Sequence, residues 1–101
     1  MGKDLASVQR IAFICNGQTC LKNGSAETTS RIRAAITQHG AQAQLHTIRT
    51  HCTDQCLHGP VVFIHPDGTW YQHVSADMAE TLVTRHLLGG EPVGEAVLFQ
   101  G

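Results

Sequence analysis

Gly59-Pro60-Val61-Val62-Phe63-Ile64-His65-Pro66-Asp67-Gly68-Thr69-Trp70-Tyr71-Gln72-His73-Val74 is the stretch from which the fold is read. Val61 to Ile64 is the most β-prone run in the chain, and Pro66-Asp67-Gly68 carries turn chemistry. Thr69 to Val74 has the β-branched and aromatic residues of a returning strand, so a hairpin over 61–74 is expected. Downstream, Ser75 can cap a helix running through Ala79, Leu82, Val83 and Leu87 and stopped by Gly89-Gly90. A short apolar end, Ala96 to Phe99, offers a last strand.

Upstream of the hairpin, Gln9 to Cys15 holds Ile11, Phe13 and Ile14 in a compact apolar run that suits a strand buried on both faces. From Ser25 to His39 the period becomes helical. Ser25 can cap, Glu27 and Arg31 sit four apart, and Ile32, Ala35, Ile36 and His39 form one stripe ended by Gly40. Ala41 to Arg49 then alternates weakly, with Ala43, Leu45, Thr47 and Arg49 on one face and Gln44, His46 and Ile48 on the other. Strand, helix, strand, hairpin and helix make a βαβ unit followed by a ββα unit, the plan of the thioredoxin-like α/β fold. The expectation is a mixed sheet of four to five strands covered by helices, with parallel strands in the middle and the hairpin at one side. Residues 9–94 form the single domain and 1–8 a loose N-terminus. Within the tail 95–101, Leu98-Phe99-Gln100-Gly101 resembles a viral 3C-type protease site, so the tail is set aside as a candidate cloning remnant.

At 101 residues, 42% hydrophobic and 15% charged with a formal charge of -1, the chain can bury its own core and shows no mark of disorder, of a nucleic-acid partner or of a membrane surface. Met1 to Leu5 has no long apolar run after its charge, so a cytoplasmic protein is expected. In a reducing compartment, cysteines are read as metal ligands or redox groups before they are read as bridges.

The chain has four, in two pairs: Cys15-Asn16-Gly17-Gln18-Thr19-Cys20 and Cys52-Thr53-Asp54-Gln55-Cys56. Each pair lies in a polar loop that follows an expected strand of the βαβ unit, so both pairs can meet at one end of the sheet. Four soft thiolates in two loops suit zinc, an iron-sulfur cluster or two disulfides. A thioredoxin-type dithiol needs a Cys-x-x-Cys at a helix start, which is absent here. Zinc knuckles usually leave two residues between cysteines, against four and three here. A 2Fe-2S rhomb is larger, takes two thiolates on each iron and fits the wider gaps.

Cys15-x4-Cys20 with Cys52-x3-Cys56, followed by the hairpin quoted above and by His86-Leu87-Leu88-Gly89-Gly90-Glu91-Pro92-Val93, resembles the thioredoxin-like 2Fe-2S ferredoxins of the Shethna protein I type. The related small 2Fe-2S subunit of respiratory complex I shares the short first gap, but this chain lacks that subunit's extra N-terminal helical segment. The resemblance covers roughly residues 9–94. It implies one 2Fe-2S cluster as cofactor, ligated by Cys15, Cys20, Cys52 and Cys56, with the first pair on one iron and the second on the other. It also implies a soluble, low-potential, one-electron carrier rather than an enzyme. Reductases or oxidoreductases would be its transient partners, and homodimers occur in the family. A cluster- or zinc-bearing interaction or redox-sensing module is the alternative function.

The expected docking residues are Gln18, Thr19, Lys22, Asn23, Thr53, Asp54, Leu57 and His58, a nearly neutral set. His51 and His58 read as loop or docking residues. His39, His46, His65, His73 and His86 have no ligand spacing and read as structural or solvated. Trp70 and Tyr71 read as core or sheet-face residues.

Overall fold

The computed structural model describes residues 4–53, 55 and 58–101. Five strands form one sheet: β1 (Arg10–Cys15), β2 (Leu45–Thr50), β3 (Val62–His65), β4 (Thr69–Tyr71) and β5 (Val97–Gln100), in the spatial order β2-β1-β3-β4-β5. β1 and β2 pair in parallel and all other neighbours are antiparallel. The parallel pair therefore occupies one side of the sheet, with β2 at the edge, rather than its middle. The hairpin is where the sequence placed it, closed by Gly68 N–H donating to the Ile64 carbonyl at 2.9 Å. Residues 97–100, set aside above, pair with β4 through Thr69–Gln100 and Trp70–Phe99.

Among the described residues three helices of five residues or more, and a short 3-10 turn over Gly94–Ala96, connect the strands. A five-residue turn, α1 (Gln18–Lys22), lies inside the first cysteine loop and was not anticipated. Helix α2 (Ser25–Gln38) follows, capped by Gly24 at φ +97° rather than by Ser25, whose hydroxyl is buried without a partner among the described residues. The stop is a Schellman arrangement: Gly40, at φ +63°, donates to the Thr37 carbonyl and Ala41 to the Ile36 carbonyl, both at 3.0 Å. Ile32, Ala35 and Ile36 are buried as the stripe required, and Ser25, Thr28 and Thr29 extend it backwards with small polar side chains. His39 turns outward instead, to 3.2 Å from Glu80. The last helix, α3 (76–88), begins after Ser75 as a 3-10 turn and ends as a wider π segment over Leu82–Leu88. At the N-terminus Leu5–Ser7 makes one turn capped by Asp4.

α2 and α3 pack on each other and on one face of the sheet, burying Ala12, Ile14, Leu45, Val62, Ile64 and Tyr71 beneath them. The other face is only partly covered among the described residues. On it one residue from each strand forms an unbroken row, Ile48, Phe13, Phe63, Trp70 and Phe99. The Phe13 and Phe63 rings lie 5.9 Å apart and the Phe63 and Trp70 rings 4.8 Å apart. β1 is therefore not buried on both faces: Ile11 and Phe13 are half-exposed, because both helices cross the same side.

At the end of the sheet away from the cysteines, a buried chain of hydrogen bonds ties β1, the hairpin turn and α3. Arg10 Nε meets Asp67 Oδ1 at 3.1 Å and its Nη1 donates to the Leu87 carbonyl at 3.1 Å. His86, fully buried, uses Nε2–H for Asp67 Oδ2 at 2.8 Å and Nδ1 for the Tyr71 hydroxyl at 2.6 Å, which in turn accepts from Val93 N–H at 2.9 Å. With Tyr71 donating to Nδ1 while accepting from Val93, and His86 carrying a proton on Nε2, every group in the chain has a partner.

Candidate metal centre

β1 delivers Cys15 to the end of the sheet, where its N–H donates to the Val61 carbonyl at 3.0 Å and its sulfur lies 3.5 Å from the His51 carbonyl. The turn of α1, held by Leu21 N–H donating to the Gly17 carbonyl at 2.9 Å, brings Cys20 back beside Cys15. Both residues are nearly enclosed, 2% and 1% exposed, and pack with Val61 and Trp70 in a small cluster of their own beside the main core. β2 ends at Thr50, and Cys52 follows two residues later on the surface. Cys56, the fourth expected ligand, lies outside the described residues, as do Asp54 and Leu57 of the expected docking set. Among the described residues no three His, Cys, Asp or Glu side chains gather around a single-ion site.

Two glycines show how closely the loops interlock. A Cβ on Gly17 would stand 2.8 Å from Cys52 Cα and 2.9 Å from its Cβ, and a Cβ on Gly59 would stand 2.7 Å from Cys20 Sγ. Real side chains do not approach so near, so each loop meets the other's cysteine at a position that only glycine allows.

Burial alone pushes the Cys15 thiol up, but the Gly17 N–H, the hydroxyl and N–H of Thr53 and the Cys20 thiol together hold it below its ordinary value. Thr53 Oγ1 is buried, near enough to favour that thiolate, yet makes no hydrogen bond of ordinary geometry to any described residue. Soft thiolates from two loops, backbone N–H donors, a buried hydroxyl and backbone stripped of Cβ at the contacts fit a bound sulfur-ligated metal group.

Of the expected docking residues, Gln18, Thr19, Lys22 and Asn23 are exposed around α1, whereas Thr53 and His58 are partly covered. Leu21, 45% exposed on the same turn, adds an apolar contact that the sequence reading missed because no helix was expected there. His73 and His86, read only as structural or solvated, hold specific hydrogen bonds whose partners are remote in sequence.

No protein-family model matches the chain. Over 85 residues it is 36% identical to a 2Fe-2S ferredoxin of Aquifex aeolicus, covering 82% of this chain and 76% of that one. A 2Fe-2S ferredoxin of Clostridium pasteurianum is 30% identical over 89 residues, 80% of this chain and 87% of the relative. The solved structure of a thioredoxin-like 2Fe-2S ferredoxin from Aquifex aeolicus superposes with a TM-score of 0.86 at 29% identity, covering 93% of this chain and 94% of that one. With the sheet order, the two interlocked cysteine loops and this identity over most of its length in agreement, the chain belongs to the thioredoxin-like 2Fe-2S ferredoxins.

Proposed function

We propose that the protein carries single electrons between redox partners on one 2Fe-2S cluster ligated by Cys15, Cys20, Cys52 and Cys56, the first two as one pair and the last two as the other. The observation that carries this reading is the mutual fit of the loops, Gly17 against Cys52 and Gly59 against Cys20 Sγ. When bound, such a cluster supplies a couple that takes up and returns one electron. The chain's own part is to hold the thiolates, to offer the Gly17 and Thr53 N–H groups to developing negative charge, and to keep water from the inner pair with Val61 and Trp70. Cys52 and the exposed face of α1 keep the site within reach of a partner. Reductases or oxidoreductases would dock on Gln18, Thr19, Leu21 and Lys22, a surface of little charge, so the contact is small and weakly steered. All-cysteine ligation supports a low potential, on the order of a few hundred mV below zero. The carrier converts no substrate of its own, and its place is the cytoplasm, where reducing conditions keep thiols open to metal. No helix of the described residues is long and apolar enough to cross a membrane.

Anaerobic reconstitution with iron and sulfide tests this directly. A red-brown protein with two irons and two sulfides per chain, bleached by dithionite and reoxidised by a flavoprotein acceptor, supports it. A colourless chain with one tight zinc, or a cluster that passes electrons to no acceptor, overturns it. For self-association, the half-buried sheet face offers an uncharged row to a second copy. Sedimentation that shows a homodimer split by Phe63→Glu supports association there, and a monomer at every concentration sinks it.

A further inference from the structure

Past Cys56 the chain runs through His58, Gly59 and Pro60, and this strap is bound along its length to residues 72–74, just beyond β4. His73 N–H donates to the His58 carbonyl at 2.8 Å and Val74 N–H to the Pro60 carbonyl at 2.9 Å. Side chains add two ties: His73 Nδ1–H donates to the Gly59 carbonyl at 3.3 Å, and His58 Nδ1–H donates to Gln72 Oε1 at 3.0 Å. Both ring nitrogens are donors, since carbonyl and amide oxygens only accept.

His73 does this from φ +51°, the one positive φ outside glycine among the described residues. A Cβ disfavours that conformation, which persists only where the surroundings over-determine it. Nothing about solvent demands it, for the side chain is exposed. What it achieves is to meet two consecutive carbonyls of the strap from one residue, the first with its N–H and the second with its ring. Between those carbonyls sits the Gly59 Cα, whose missing Cβ would stand 2.7 Å from Cys20 Sγ.

We infer that His73 is a positioning residue for the metal centre: by holding the His58 and Gly59 carbonyls it sets how closely the second cysteine loop approaches the Cys20 sulfur. The inference rests on the proposed 2Fe-2S reading and adds to it a residue outside both cysteine loops that tunes the site through backbone placement.

The test is a series at His73 in the cluster-loaded full chain, read by visible circular dichroism, by the EPR g-values of the reduced protein and by the rate of iron release to a chelator. His73→Val, β-branched and least able to hold positive φ, is expected to change both spectra and to release iron about tenfold faster. His73→Ala should lie between Val and wild type. His73→Asn, which tolerates the left-handed region, should bring release back to within about threefold and restore most of the spectrum. His73→Gly keeps the backbone and isolates the share of the imidazole bond. Wild-type spectra and release within twofold in both Val and Ala overturn the inference, as does lost thermal stability with an unchanged EPR signature. Should the Val variant fail to fold, Ala and Gly decide by the same criteria. A wild-type chain that binds no cluster overturns the function reading and this inference together. Wild-type loading with unaltered variants overturns the inference alone.

Discussion

At its first residue β1 carries Arg10, joined to Asp67, His86, Tyr71 and Val93 in a chain where each polar group is met; at its last it carries Cys15, among donors not all of which find a partner among the described residues. The two are the opposite ends of one six-residue strand. The first is closed: a network satisfied by one arrangement of neutral His86 fixes β1, the hairpin turn and α3 against one another. The second is built for one more group, with a thiol held below its ordinary value, a Thr53 hydroxyl buried without an ordinary hydrogen bond among the described residues, and glycines where any Cβ would collide. Polar groups that complete one another stabilise a fold, and polar groups left reaching for a partner mark where it binds.

Substitutions should separate these ends. The largest effect is expected from Gly17→Ala, whose Cβ would strike the backbone of Cys52, and from Gly59→Ala, whose Cβ would strike the Cys20 sulfur. Either should reduce cluster loading after reconstitution to less than half of wild type, measured as iron and sulfide per chain, while far-UV circular dichroism stays that of the folded chain. Full loading in both would mean that the loops do not meet as described.

Tyr71→Phe attacks the closed end. It leaves Val93 N–H and His86 Nδ1 without partners, at a cost of roughly 1–3 kcal/mol, or a fall in Tm on the order of 5–20 °C for a chain of this size. The visible spectrum at room temperature should not change. A Tyr71→Phe protein that melts like wild type would show that the network contributes nothing.

The pH dependence should come from the closed end as well. Burial pushes the Asp67 carboxyl up, but the hydrogen bonds from His86 and Arg10 outweigh it and hold it below its ordinary 3.8. A depressed folded-state value gives stability that is present above 3.8 and is lost as acid takes the pH down through the folded value. Burial holds the Tyr71 hydroxyl above its ordinary 10.0, so its contribution is present below pH 10 and is lost as pH rises beyond it. Urea midpoints across pH should bend down at both extremes, and Asp67→Asn should remove much of the acid limb. An acid limb unchanged in that variant would assign it to other carboxylates. The smallest effect belongs to neither end: Glu27→Ala breaks an exposed pair with Arg31 at 3.7 Å and should cost no more than about 0.5 kcal/mol in thermal unfolding.

Much of the fold was legible because its signals are local. The hairpin over 61–74, the helical period of Ile32, Ala35 and Ile36 and the stop at Gly40 each need only neighbours in sequence, and each is found where expected. The alternation of Leu45 against His46 and Ile48 also assigned the faces of β2, although the strand itself starts four residues after the expected Ala41. Ile11 and Phe13 misled, since an apolar run reads the same whether both faces of a strand are covered or one is left open. His39 misled likewise: the period put it on the core stripe, and Glu80 of α3 draws it outward. α1 escaped notice because a single turn over Gln18–Lys22 is too short to show a period.

By itself the sequence determined where thiols are available, since the chain has four cysteines and their gaps of four and three residues are written in it. It also determined that strands precede both cysteine loops. Only the tertiary structure decided how those loops fit: that Gly17 gives way to Cys52 and Gly59 to Cys20, that the Thr53 hydroxyl is buried beside Cys15, and that His73 accepts a left-handed backbone to hold the strap. Composition and periodicity report which side chains want to be buried, but they carry nothing about close approach between segments tens of residues apart. Those distances exist only once the sheet has brought the ends of β1 and β2 side by side.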